Sequence, residues 1–215
     1  MSLKWATLLA IIGIVCSFLI RTAGTLLPHI FKNIHIVRMT IGSHLFASFT
    51  LVIFFVSFYE SYTQKEQQTL RRACFLAIIG SLAALFLHIK ILFLVFEQHI
   101  FPLFLMHHHI DVILPLVSSI TVILFFVIFQ KEMRHGERKR LRKATRSAVT
   151  GFSVFAILQT TVLINYLSSG EFRWLQHFSR KVSIGTIPVM AFAILAVLYF
   201  FLSFYRFVEV SVWKK

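Results

Sequence analysis

Six apolar runs, each close to the length that crosses a bilayer, leave this chain few ways to fold: residues 5–27, 41–59, 73–96, 109–129, 148–167 and 187–207. A spanning helix needs about 20 mostly apolar residues. The expected fold is therefore all-α, an integral membrane six-helix bundle forming a single domain over 1–215. Composition agrees, with 58% of residues hydrophobic, 14% charged and a mean hydropathy of +0.81, a balance foreign to water-soluble domains. The first run follows Lys4 as a signal peptide would. Arg21 interrupts it and no small-residue cleavage site follows cleanly, so it is read as a retained helix.

Charge orients the bundle. With six spans, both termini and the second and fourth connections share a side, and fifteen Lys and Arg residues lie there, eight of them within 131–146. The opposite side has six: Arg21, Lys32, Arg38, Arg173, Arg180 and Lys181. Lys and Arg collect in cytoplasmic connections, so the N- and C-termini are both expected to be cytoplasmic, in a membrane read as a bacterial cytoplasmic (inner) membrane. The run KEMRHGERKRLRKATR then marks topology and meets anionic lipids at the cytoplasmic face of the bilayer. No aromatic interleaving accompanies it, so the net charge of +14 does not indicate nucleic acid.

Histidine follows the opposite rule. Nine of the ten histidines fall in the non-cytoplasmic half, His135 being the exception. On the third run Ala77, Ser81, Ala84 and His88 recur at helical spacing, and small residues on a membrane helix mark close packing. His88 is thus expected to face protein. On the second run His44 shares a face with Ala47, Ser48 and Leu51. At about 1.5 Å per residue, the two imidazoles can occupy one layer. On the fourth run His108 shares a face with Asp111, Pro115 and Ser118, and His107 lies one turn from Asp111. A carboxylate beside an imidazole fixes its tautomer and raises its basicity. Isolated connection histidines such as His29, His35 and His177 read as interfacial polar residues, and Lys90, on another face of its helix, is expected to snorkel outward.

These groups suggest a histidine-rich outer-side site. The leading expectation is a membrane redox protein in which His44 and His88, with His108, bind haem b, while Arg21, Lys32 or Arg38 pair with its propionates. Electrons would come from a membrane quinol or pass to another membrane protein. Alternatively, His99, His107, His108, His109 and Asp111 bind a transition metal, zinc or copper. A second class of function is a small ion- or proton-coupled transporter or channel, with Gln159, Thr160, Thr161 and Asn165 lining a polar path. A third is an accessory subunit whose Phe-rich surfaces pack against a larger complex.

Nucleotide, metalloprotease and hydrolase motifs are absent, and Cys16 and Cys74 form no metal-binding pattern. The even-numbered runs end alike, as FFVSFY from Phe54, FFVIFQ from Phe125 and FFLSFY from Phe200. In a chain with 25 Phe residues chance accounts for such a recurrence, and three tandem hairpins is the less favoured reading.

Overall fold

The computed structural model describes residues 1–26, 34–62, 68–96, 108–133, 139–169 and 173–212; within these, side chains at 24–26, 34–37, 62, 94–96, 108–112, 162–163, 165–169, 173–186 and 210–212 are not considered. The described residues form six α-helices and no strand: α1 (Leu3–Leu26), α2 (Ile34–Tyr62), α3 (Gln68–Phe96), α4 (His108–Glu132), α5 (Lys139–Ser169) and α6 (Arg173–Val212). Among the described residues, five spans long and apolar enough to cross a membrane lie on α1, α2, α3, α4 and α6. The expected span at 148–167 is not among these five. Its residues 162–163 and 165–167 lie outside the described side chains, while α5 itself runs 31 residues. Large apolar side chains on the outer surface, such as Leu19, Ile157 and Leu195 at 58–64% exposure, suit a lipid environment and not water.

Each helix packs antiparallel on its sequence neighbour, and α1 also packs on α6, so the six form a closed ring. Both chain ends lie at one end of it, where Lys4 Nζ meets Glu209 Oε1 at 2.7 Å. That end is called here the terminal end, and the opposite one the far end.

The packing overturns the reading of the FF motifs as coincidence. Phe54, Phe55 and Phe58 of α2, Phe125, Phe126 and Phe129 of α4, and Phe200, Phe201 and Phe204 of α6 are all fully buried. They interlock in a cyclic pattern. The second Phe of each motif meets the first of the next edge to face: Phe55 with Phe125 at 5.1 Å, Phe126 with Phe200 at 4.6 Å, and Phe201 with Phe54 at 4.9 Å between centroids. The third residues, Phe58, Phe129 and Phe204, close a triangle with sides of 5.4, 6.1 and 5.7 Å. Edge-to-face pairs are worth about 0.5–1.5 kcal/mol each beyond area burial. Since lipid supplies no hydrophobic drive between helices, such packing carries much of their association.

The odd helices repeat as well. Leu3, Ala6, Thr7, Ala10 and Gly13 of α1 correspond to Leu70, Ala73, Cys74, Ala77 and Gly80 of α3, and to Leu141, Ala144, Thr145, Ala148 and Gly151 of α5. The Leu, Ala, Thr and Cys side chains in these sets are buried. Thr7 and Thr145 each donate to the carbonyl four residues back, at 2.7 and 2.8 Å, whereas the Cys74 thiol turns to the Phe55 carbonyl at 3.3 Å. Each glycine sits where its hairpin partner comes closest: a Cβ at Gly13 would strike Thr50 Oγ1, one at Gly80 would strike Thr121 Oγ1, and one at Gly151 would strike the Ala193 carbonyl. Thr50 and Thr121 are themselves equivalent, each bonded to the carbonyl three residues back. The bundle is three tandem helical hairpins arranged about one axis, and the α1–α6 contact is the third copy of the contacts α2–α3 and α4–α5.

Candidate functional site

The repeat makes the far half legible by comparison. Eight residues beyond the glycine of each odd helix stand Arg21, His88 and Gln159. Six residues before each FF motif stand Ser48, Ser119 and Ile194. Across the α2–α3 boundary, Ser48 Oγ and His88 Nδ1 share a hydrogen bond at 3.0 Å. The equivalent pair across α4–α5 is Ser119 Oγ donating to Gln159 Oε1 at 2.9 Å. At the third boundary, Arg21 and Ile194 line one cavity.

The first hairpin adds a second imidazole. His44 of α2 shares a hydrogen bond through Nδ1 with Ser17 Oγ of α1 at 2.6 Å, and its ring stacks on that of His88 with centroids 5.7 Å apart and planes inclined by 24°. The two equivalents of His44 are Pro115 and Met190, and those of Ser17 are Ala84 and Phe155, so this imidazole pair exists once in the ring. Both Nδ1 atoms are engaged by serines, and His88 also bonds the Ala84 backbone, which fixes the orientation of the rings.

His44 also borders a half-open cavity of about 180 Å³ lined by Ile14, Ser17, Phe18 and Arg21 of α1, Ala47 and Leu51 of α2, Phe152 and Phe155 of α5, and Met190, Ile194 and Val197 of α6. Its lining is mainly apolar with one polar corner, where Arg21, His44 and Ser17 converge. Volumes of about 300–1,000 Å³ are usual for sites that hold drug-sized ligands, so this one suits something smaller.

Of the expected site residues, the structure brings together His44 and His88. His99 and His107 lie outside the described residues. His108, His109 and Asp111 begin α4 as helical backbone, and their side chains, like that of Asn165, lie outside the described set. Among the described residues no group of three or more His, Cys, Asp or Glu side chains is placed to hold a metal ion. Lys90 corrects an expectation, being only 8% exposed within the bundle instead of snorkelling outward. The serines were the part least visible beforehand. Ser17 stands at no motif, and its role appears only from the α1–α2 contact that the close approach at Gly13 permits.

No family model matches the chain, and comparison with curated proteins and with solved structures likewise finds no match. The fold and the site define a class all the same: a multi-pass helical membrane protein of three repeated hairpins, with an aromatic layer at one end and a small polar belt in the other half.

Proposed function

We propose that the protein is a small proton-coupled transporter, with the His44–His88 pair as its protonatable element. The observation that carries this reading is the imidazole pair itself, built once at the boundary between two repeats. Repeated hairpins about an axis along the membrane normal are a transporter architecture, with ligand and coupling sites at the repeat boundaries near mid-membrane. Ionisable groups at such depth are costly and belong to function by default. The polar corner at Arg21, His44 and Ser17, backed by apolar walls, suits a small anion with an apolar body. The Phe layer closes the axis at the terminal end, so the described polar groups face a route from the far side.

In this reading the terminal end is cytoplasmic. Lys4, Arg71, Arg72, Lys131, Lys139, Arg140, Arg142, Lys143, Arg146 and Arg206 all belong to helix segments at that end, which is the bias expected of a cytoplasmic face. A bacterial cytoplasmic membrane accommodates that arrangement. The test is uptake of small organic anions into proteoliposomes under an imposed pH gradient. Transport should follow the gradient in the wild type and lose that dependence in His88→Gln and His44→Gln. Flux indifferent to pH in the wild type would remove the proposal.

A second reading has its own support: two neighbouring imidazoles with serine-anchored Nδ1 atoms can ligate a transition metal, with His108 and Asp111 as further expected ligands, for membrane redox chemistry. Metal analysis and an absorption spectrum of the purified protein separate the two, because bound metal lost on His88→Ala favours the redox reading.

A further inference from the structure

At the terminal end, α2 and α3 form an open groove of about 700 Å³ lined by Tyr59, Gln68, Arg71, Arg72, Phe75 and Leu76. Its rim is cationic. Arg71 donates from Nε to the Tyr59 hydroxyl at 2.6 Å and lies 5.1 Å from the centroid of that ring, which fixes the guanidinium and leaves its remaining N–H groups for an acceptor. Arg72 stands beside it, exposed. The floor is apolar, with Phe75 and Leu76 at 55% and 43% exposure. Among the described residues no carboxylate lies within ion-pair distance of either arginine.

The repeat shows how the charges of this boundary are arranged differently from those of its counterpart. Lys4 occupies in α1 the position of Arg71 in α3 and lies over Tyr205 as Arg71 lies over Tyr59. Glu209 neutralises Lys4 at 2.7 Å. The residue corresponding to Glu209 in the first hairpin is Thr63, and the residue corresponding to Arg72 in α1 is Trp5. At the α2–α3 boundary the two cations therefore stand side by side on α3, and the described acid, Glu60, holds on α2 the station of Arg206 on α6.

We propose that this groove binds an anionic phospholipid, with the phosphate held by Arg71 and Arg72 and an acyl chain lying along Phe75 and Leu76. The arginines are the fourth and fifth residues of a candidate membrane-spanning segment, Gln68–Phe93, and so stand at headgroup level. Guanidinium groups match phosphate oxygens in a two-pronged geometry. An apolar floor continuous with that cationic rim suits a lipid; a free phosphate has no use for it.

The experiment is native mass spectrometry of the full chain in neutral detergent, supplied with phosphatidylglycerol or phosphatidylcholine. The wild type should retain phosphatidylglycerol and release phosphatidylcholine. Arg71→Gln with Arg72→Gln should weaken phosphatidylglycerol retention roughly tenfold or more, whereas Arg206→Gln, an exposed cation at the same end outside the groove, should leave it unchanged. Should the double variant fail to fold, Arg72→Gln alone should still weaken retention about threefold. Equal retention of the two lipids, undiminished retention in the arginine variants, or displacement of the lipid by millimolar inorganic phosphate would overturn the proposal.

Discussion

The two halves of the ring use the same threefold frame in opposite ways. At the terminal end all three hairpins present the same residues to the axis, and nine Phe side chains fill it by repeating one edge-to-face contact three times. In the far half the equivalent positions diverge into Arg21, His88 and Gln159, and into His44, Pro115 and Met190. Identity among repeats is where the chain specifies shape. Difference among them is where it specifies chemistry.

That division can be broken by mutation, and the largest effect should fall on the aromatic layer. Phe58→Ala, Phe129→Ala and Phe204→Ala each remove one corner of the axial triangle and should each cost about 3–5 kcal/mol, read as loss of thermal stability in detergent. Similar losses at all three would sharpen the threefold account, and one tolerated corner would weaken it. Next comes Gly80→Ala, whose methyl group meets Thr121 Oγ1 and should destabilise by about 1–3 kcal/mol. Combined with Thr121→Ala the loss should shrink, a coupling that a double-mutant cycle measures.

In the far half the stability effects should be smaller and the functional ones larger. Ser48→Ala removes the serine partner of His88 Nδ1 at a cost of about 0.6 kcal/mol, typical of hydrogen bonds between membrane helices, while disturbing the pH dependence of the proposed transport. Its counterpart Ser119→Ala, which unpairs Gln159, should cost about the same and leave that pH dependence intact. If both variants changed transport alike, the far half would be a structural belt and not a specialised site. Smallest of all, Lys4→Ala breaks a partly exposed ion pair and should leave thermal stability unchanged within error.

Much of this fold is written in periodicity. Apolar runs gave the helices, and the stripes through Ala47–Ser48 and Ala77–Ala84 put His44 and His88 on packed faces, because small residues in a membrane helix signal a neighbour. The repeat was harder to see. Its conspicuous part, FFxxF, is cheap in a Phe-rich chain, and its informative part, the Leu, Ala, Thr or Cys, Ala and Gly set of the odd helices, is made of small residues that look like filler until their burial is known. Lys90 misled for a related reason: helical spacing separates faces of one helix but does not say which neighbours cover them. Ser17 was illegible because one hydroxyl in an apolar run carries no period at all.

One consequence follows from the matched heights of Arg21, His88 and Gln159. A symmetric ring would offer a molecule on its axis three indistinguishable poses. With a guanidinium, an imidazole and an amide at equivalent stations, the ring turns three unlike side chains to three matched places, so the frame's symmetry does not extend to its chemistry.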